Sequence, residues 1–218
     1  MHSKLIPLGM ALVLGGCATP AMLPDPAVDM DRAASNHTKH KDTAVFAGGC
    51  FWGVEAVFEQ LTGVEQVLAG FAGGDAVTAH YEVVSSGLTH HAESVQVTYD
   101  PAKITYGQLL KIFFAVAHDP TQKNRQGPDS GTQYRSAIFY EDAEQKRIAE
   151  AYIKQLGDAH VFRSPIVTEV STLPRFYPAE EYHQQFVKRN PDYPYVVYND
   201  LPKLAKLKQE YAPMLKSQ

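Results

Sequence analysis

The sequence predicts an α+β protein, a two-layer sandwich in which helices cover a mixed sheet. Segments with the alternating pattern of strands are interleaved with segments whose apolar residues recur at helical spacing. Some strands are joined to their neighbours directly and others through a helix, which indicates a sheet with both antiparallel and parallel pairs. With 218 residues, 44% of them apolar, the chain can bury one core of ordinary size. We therefore expect one folded domain.

The charge balance argues against one class of partner. The formal net charge is −4, so the composition gives no reason to expect nucleic acid, whose phosphates need a basic surface. We expect a monomer without a metal ion or other resident cofactor.

The first residues have the pattern of an export signal. Lys4 precedes an apolar stretch, Leu5 to Leu14, that is too short to span a bilayer. The stretch ends in Leu14-Gly15-Gly16-Cys17, which resembles the lipobox of bacterial lipoproteins, where cleavage leaves the cysteine as a lipid-modified N-terminus. The alternative is an ordinary secretory signal that happens to end in cysteine. Both interpretations take the chain out of the cytoplasm.

These patterns divide the chain into four parts. Residues 1–17 are the predicted signal peptide, and residues 18–42, rich in Pro, Asp, Ala, Ser and His, are a predicted flexible tether. Residues 43–210 form the predicted functional domain, and residues 211–218 a C-terminal tail. Because Ala18 rather than Asp follows Cys17, the leader resembles those of lipoproteins sorted to the outer membrane. We therefore predict a lipid-anchored protein on a periplasm-facing membrane surface.

The domain is organised around Gly48-Gly49-Cys50-Phe51-Trp52-Gly53. An apolar run, 44–47, precedes this motif, and Val54, Val57, Phe58 and Leu61 follow it at the spacing of one helix face, before Gly63. Cys50 is thus predicted at a strand-to-helix turn, where helix N–H groups and the helix dipole favour a thiolate. Phe51 and Trp52 suit the walls of an apolar pocket beside the sulfur. A buried structural cysteine is the alternative interpretation.

The next segments carry the second group of candidate residues. Residues 64–70 alternate as a strand, 71–74 read as a glycine loop, and Tyr81 lies in the irregular segment that follows. Glu93 to Tyr99 alternates cleanly, and Glu93 has the parity of the apolar face. A carboxyl on that face would lose hydration, keep its proton and be suited to donate it. Parity alone leaves a solvated, outward-turned Glu93 equally open.

A long polar loop follows a predicted helix. Thr105 to His118 has helical spacing and a capping box formed by Thr105 and Gln108. The loop runs from His118 to Gln133 and precedes a predicted strand, 134–140. Loops this long inside compact domains tend to be functional or disordered, and the structured flanks of this loop favour a binding role. Asp129 and Tyr134 are its candidate site residues because a carboxylate and a phenol can share a hydrogen bond and present a donor.

The remaining pattern predicts four further elements. Asp142 is expected to cap a helix that runs to about residue 156 and stops at Gly157. Residues 166–172 have the pattern of a strand, and Pro178 that of the first residue of a helix ending near residue 190. Residues 203–208 form a basic amphipathic segment. It can contact anionic lipid, but packing as a C-terminal helix is the commoner outcome.

Six groups of residues together resemble the A-type peptide methionine sulfoxide reductases, in an order that matches the family. They are Gly49-Cys50-Phe51-Trp52-Gly53, Gly87-Leu88-Thr89 with His91-Ala92-Glu93, His118-Asp119-Pro120-Thr121, Asn124-Arg125-Gln126-Gly127, Gly131-Thr132-Gln133-Tyr134-Arg135-Ser136 and Phe176-Tyr177-Pro178-Ala179-Glu180. The resemblance runs from about residue 44 to residue 208. It implies reduction of methionine S-sulfoxide, free or in proteins, and an α+β fold.

The resemblance also implies roles for the candidate residues. Cys50 would attack the sulfoxide sulfur, with Phe51 and Trp52 enclosing the substrate methyl group. Glu93 would protonate the sulfoxide oxygen. Tyr81 and Tyr134 would hydrogen-bond that oxygen, and Asp129 would support the site.

Four positions depart from the family pattern. Phe71 stands where the family usually has Tyr, Ser85 where a Cys is frequent, His90 where Gly is common, and Pro128 where Asn is usual. None is one of the implied catalytic residues. The changes at His90 and Pro128 affect loops beside Glu93 and Asp129.

Two cysteines, Cys17 and Cys50, occur in the sequence. With Cys17 lipidated, Cys50 has no cysteine to pair with, so we expect an external thiol, a thioredoxin-like protein or a small molecule, to restore it. Three other functions are alternatives for a protein with one free cysteine. A cysteine hydrolase would pair Cys50 with His91 or His183, a thiol peroxidase would consume hydrogen peroxide, and a binding lipoprotein would not need Cys50.

Overall fold

The computed structural model describes residues 22–30 and 41–217. The predicted signal peptide, Cys17 and Ala18 lie outside this part of the chain. Its strands are β1 (Asp42–Gly48), β2 (Val64–Ala72), β3 (Ala92–Tyr99), β4 (Arg125–Gln126), β5 (Asp129–Ser130), β6 (Ser136–Tyr140), β7 (Glu169–Thr172) and β8 (Phe176–Pro178). Its α-helices are α1 (Phe51–Glu59), α2 (Tyr81–Val84), α3 (Tyr106–Ile112), α4 (Ala143–Asp158), α5 (Phe186–Arg189) and α6 (Leu201–Glu210).

Six of the strands form one mixed sheet in the order β7-β6-β1-β3-β2-β8. Its neighbours are antiparallel except β6 and β7, which run parallel because α4 lies in the connection between them. The short strands β4 and β5 form a separate hairpin. The α+β class and the mixed sheet predicted from the sequence are confirmed.

The alternation of β1 places the main core on one face of the sheet. Phe46 stacks on Phe58 of α1, with ring centroids 5.2 Å apart, and on Phe113, with centroids 5.1 Å apart. Val45 and Ala47 point to the opposite face, where they join a smaller cluster with Phe139. Helix α1 is therefore fixed on the sheet by its apolar residues, and its N-terminus is held at the end of β1.

The predicted helix signals hold where capping chemistry is strong. Thr105 and Gln108 form the capping box of α3, and the Asp142 carboxylate accepts the Gln145 N–H at the start of α4. The helix that begins at residue 106 changes to a π-helix over Phe113–Ala117. Helix α4 continues through Gly157 and ends at Asp158.

Three predicted boundaries are wrong. Pro178 ends the edge strand β8 and does not open a helix; an edge position tolerates a residue without an N–H. Strand β7 begins at Glu169, because the Val167 N–H bonds to the Pro120 carbonyl of the polar loop, 2.8 Å away. Tyr134 lies in a 3-10 turn before β6, which starts at Ser136.

Residues 22–30, which we call the N-terminal strap, correct the prediction of a flexible tether over this stretch. The Asp29 carboxylate accepts the Thr105 hydroxyl and, at 2.8 Å, the Gly107 N–H at the start of α3. The Asp25 carboxylate pairs with the nearly buried Lys111 at 2.7 Å. Leu23, Val28 and Met30 pack against the core. The composition of the segment suggested solvation, but its acidic residues meet donors that the folded domain supplies.

The predicted C-terminal tail is also packed where it is described. Tyr211 is buried, and Leu215 forms a β-bridge with Leu61 after α1. The Thr62 N–H donates to the Met214 carbonyl at 2.8 Å. The folded unit therefore extends at least to residue 216, whose N–H bonds to the Gln60 carbonyl. Within residues 22–30 and 41–217, the helices are all too short or too polar to cross a bilayer.

Candidate active site

A cavity of about 190 Å³ opens at the N-terminus of α1. It is lined by all seven candidate residues of the domain and by two further tyrosines: Cys50, Phe51, Trp52, Tyr81, Glu93, Asp129, Tyr134, Tyr193 and Tyr195. Residues from five separate stretches of the sequence thus meet around one sulfur atom.

Cys50 is the N-cap residue of α1, at the strand-to-helix turn predicted from the glycines. Gly49 has φ +88°, and a Cβ there would stand 2.4 Å from the Gln126 Cβ, so only glycine fits. The Gln126 amide is fixed in turn by Asp119, whose carbonyl accepts its N–H at 3.1 Å. The turn that carries Cys50 therefore packs against the polar loop, for which the sequence predicts a binding role.

Glu93 lies inside the site. Of the two orientations that the strand pattern left open, the structure shows the inward one and not the solvated, outward one. Its side chain is 2% exposed, and Oε2 accepts the Phe51 backbone N–H at 3.1 Å. Burial raises the pKa of Glu93 to about 8, although the Phe51 hydrogen bond opposes the shift. At neutral pH the group is a carboxylic acid next to the helix N-terminus, able to donate a proton.

The protonation of Cys50 differs from the sequence prediction. Burial, and then the carboxyl groups of Glu93 and Asp200, raise the pKa of the thiol well above its ordinary value. The Trp52 backbone N–H and the Lys203 ammonium act in the opposite direction. The helix N-terminus therefore does not suffice to make a resting thiolate, and the free site holds a thiol beside a carboxylic acid.

Aromatic rings form the wall next to the sulfur. The Trp52 indole lies flat on Phe186 of α5, with centroids 3.7 Å apart and an interplanar angle of 8°. Its N–H donates to His183 Nδ1 at 3.1 Å. Tyr193 and Tyr195 meet the indole edge-on. The indole is thus fixed in both position and orientation, and it presents a rigid apolar surface.

The polar side of the cavity differs in one contact from the prediction. The Asp129 carboxylate accepts the hydroxyl of Tyr195, not that of Tyr134. Tyr81 is positioned by its backbone N–H, which donates to the Glu180 carboxylate at 3.0 Å. Burial raises the pKa of Tyr81 to about 12 and also raises the pKa of Tyr134, so both phenols keep their protons. They can donate hydrogen bonds to an oxygen in the cavity.

Tyr193, Tyr195 and Phe186 were not among the residues predicted from the sequence to form the site, and His183 was considered only as the base of a cysteine hydrolase. The available signal was the density of aromatic residues over 182–198, which includes four tyrosines and a phenylalanine. That stretch has no clear periodicity, because Gln185 has a left-handed backbone and Val196–Asp200 is π-helical. The sequence of this segment does not show which of its rings point inward.

Two histidines suggested as bases for a cysteine hydrolase are otherwise engaged. His91 Nε2 bonds to the Asp75 carbonyl at 3.0 Å, and His183 accepts the Trp52 indole N–H. Neither makes a described hydrogen bond to Cys50. The arrangement supplies a sulfur nucleophile, a buried acid and two phenol donors, which suits attack on an electrophile that carries a basic oxygen.

Comparison with known proteins identifies relatives of the whole domain. Residues 42–215 match the family model described as peptide methionine sulfoxide reductase. The peptide methionine sulfoxide reductase MsrA 2 of Synechocystis sp. is 52% identical over 214 residues, covering 97% of this chain and 100% of that protein. The MsrA 2 protein of Mesorhizobium japonicum is 60% identical over 168 residues, covering 77% of this chain and 86% of its own.

Solved structures show the same similarity. Methionine sulfoxide reductase A of Corynebacterium diphtheriae is 36% identical, with a TM-score of 0.60, and the match covers 80% of this chain and 86% of that chain. Reduced Mxr1 of Saccharomyces cerevisiae is 32% identical, with a TM-score of 0.64, and the match covers 70% of this chain and 87% of that chain.

Proposed function

Because this chain belongs to the peptide methionine sulfoxide reductase family, we propose that it reduces methionine S-sulfoxide, free or in proteins, to methionine. The observation that carries the proposal is the cavity in which Cys50 and Glu93 meet between aromatic walls. The sulfoxide methyl group fits against Phe51 and Trp52. The sulfoxide oxygen lies toward Glu93, Tyr81 and Tyr134.

In net terms, the proposed reaction reduces the sulfoxide to a thioether and oxidises the Cys50 thiol to a sulfenic acid. Cys50 attacks the sulfoxide sulfur as Glu93 gives its proton to the oxygen, which is a poor leaving group until it is protonated. The thiol proton replaces the one that Glu93 has lost. Attack forms a bond between the sulfur atoms of Cys50 and the substrate, the S–O bond breaks, and the oxygen leaves as water with a second proton from Glu93. A water molecule then attacks the Cys50 sulfur and returns a proton to Glu93, the S–S bond breaks, methionine leaves, and Cys50 is left as a sulfenic acid. Asp129 supports the site through Tyr195.

We also propose that Cys50 is restored by an external thiol, a thioredoxin-like protein or a small molecule. Cys50 is the free cysteine of the described residues, and it is buried beside the cavity. One thiol would displace water from the sulfenic acid and form a mixed disulfide, and a second would release Cys50. No metal and no organic cofactor enters this scheme.

The location and assembly of the protein remain proposals from the sequence. We propose a lipid on Cys17 that holds the enzyme at a periplasm-facing membrane, the outer one by the Ala18 signal, where it repairs oxidised methionine as a monomer. Cys17→Ser should move the protein from the membrane fraction to the soluble or unprocessed fraction. Equal membrane recovery of both forms would contradict lipid anchoring.

One experiment tests the reaction. The S and R isomers of methyl p-tolyl sulfoxide are supplied separately with dithiothreitol, and loss of each is followed by chiral chromatography. We expect loss of the S isomer alone with wild type, and of neither with Cys50→Ser. If wild type consumes neither isomer, the reductase proposal is wrong. Full activity in Cys50→Ser would exclude Cys50 as the nucleophile.

A further inference from the structure

Asp200 is a carboxyl group buried against the first turn of α1. It is 0% exposed, and neither carboxyl oxygen has a hydrogen-bond partner within the described residues. Its nearest opposite charge is Lys203, whose Nζ lies 3.5 Å from Oδ1 and whose side chain is 19% exposed. Buried carboxylates are costly unless they are paired and hydrogen-bonded, so this arrangement requires an explanation.

Both charges press on the first turn of α1. A Cβ built on Gly53 would stand 2.1 Å from Asp200 Oδ1 and 2.8 Å from Lys203 Nζ. Gly53 is three residues after Cys50, and residues at that spacing are neighbours on a helix surface. The missing side chain at Gly53 therefore creates the space through which an anion and a cation approach the turn that carries the sulfur.

The two charges act on Cys50 with opposite sign. Asp200 raises the pKa of the thiol, and Lys203 lowers it. Glu93, which faces the sulfur from β3, acts in the same direction as Asp200 when it is ionised. Tyr81 and Tyr195 line the same cavity, and burial keeps both phenols neutral. Asp129 and Tyr134, whose pKa values are raised by burial, also line the cavity, as does Tyr193.

We propose that Asp200 and Lys203 are positioning residues whose opposed charges, held against Gly53, set the reactivity of the Cys50 sulfur. The proposal rests on the proposed role of Cys50 as the nucleophile. The carboxylate disfavours the resting thiolate, and the ammonium supports it once it forms. The pair lies outside the lining of the substrate cavity, so it acts through the helix turn and not on the sulfoxide.

The test measures the thiol directly. Full-length protein is treated with iodoacetamide between pH 6 and pH 11, and the rate of labelling of the Cys50 peptide is read by mass spectrometry. We expect Asp200→Asn to lower the midpoint of the pH profile by about one unit, roughly a tenfold gain in thiolate below the midpoint. Lys203→Met should raise it by a similar amount. The double variant should return close to the wild-type midpoint.

Two exposed charges provide controls, Asp192→Asn and Lys208→Met, which should leave the midpoint unchanged. Shifts of the same sign in the two test variants, or midpoints equal to that of wild type, would overturn the proposal. Circular dichroism checks folding. If Asp200→Asn unfolds, the midpoint measured for Lys203→Met alone tests the proposal, because the partly exposed lysine can be replaced without opening the core. The labelling does not depend on turnover, so its result is separate from that of the sulfoxide assay.

Discussion

Glu93 shows how one residue's environment determines its chemistry. The carboxyl is buried at the inner edge of β3, and its pKa is about 8. Free enzyme should therefore lose activity as pH rises through about 8, because the proton donor is lost. Glu93→Gln should reduce kcat/KM by about two to four orders of magnitude and remove this descending limb.

The measurement is the pH dependence of kcat/KM with a methyl sulfoxide substrate. Glu82→Gln, which changes an exposed carboxyl, is the matched control and should follow the wild-type profile. A Glu93→Gln enzyme that works at the wild-type rate across pH would show that another group supplies the proton.

The same residue should cost stability. Its pKa rises from an ordinary 4.5 to about 8 on folding. Between these values the folded state retains a proton that the unfolded chain releases, so stability present below pH 4.5 is lost as pH rises through 8. At pH 7 the loss is about 3 kcal/mol. We expect Glu93→Gln to be more stable than wild type at pH 7 and to lose that advantage near pH 4.

Urea unfolding of both proteins at pH 4, 7 and 8.5 measures this difference. Its pH dependence identifies the cause, because a general packing change would alter stability equally at every pH. A constant difference would mean that Glu93 does not titrate on unfolding.

At the scale of elements, the N-terminal strap should stabilise α3. Asp29 accepts two hydrogen bonds at the start of that helix, where the helix dipole also stabilises its negative charge. We expect Asp29→Ala to lower the free energy of unfolding by about 0.5–2 kcal/mol, the range found for lost helix caps. Asp192→Ala, at an exposed loop position, should have little effect.

Hydrogen exchange distinguishes loss of the strap from a general loss of stability. The Ala27 N–H, which donates to the Gln155 side chain at 2.8 Å, should exchange faster in Asp29→Ala than in wild type. Amides of β1 and β3 should keep their protection relative to the new global stability. Unchanged exchange at Ala27 would show that the strap does not depend on Asp29.

The elements also show what the sequence could predict. The strand of Glu93 and the helices capped by Thr105 and Asp142 follow from alternation and capping, which are local effects. The packing of the strap could not be predicted in this way, because its contacts depend on donors at Gly107 and Lys111, more than 75 residues away. Pro178 is compatible with a helix start and with a sheet edge, and only tertiary pairing with Gly70 decides between them.

The same division applies to the site. Cys50 and its aromatic neighbours could be located from one motif, because a turn, a helix and a nucleophile coincide there. Tyr195 and Asp200 could not, because they reach the cavity and Gly53 through an irregular C-terminal segment. The resting charge of Cys50 also depends on burial, which the motif does not reveal.

For the whole molecule, the decisive question is how the enzyme is restored. If Cys50 has no resolving partner, one turnover without reductant should give one methionine per chain and a sulfenic acid at Cys50. Mass analysis with and without a sulfenic-acid trap measures this, using protein that lacks residues 1–17. Quantitative trapping would support an external thiol. A disulfide between two chains as the main product would contradict it.

The strap also sets the reach of the enzyme. If Cys17 carries lipid, only residues 18–22 separate it from Leu23, which packs against the core, whereas the predicted tether has residues 18–42. Five residues span at most about 18 Å, against about 90 Å for twenty-five. The catalytic domain would then stay within a thin layer next to the bilayer. Its substrates would be oxidised proteins that are embedded in the membrane surface or come close to it.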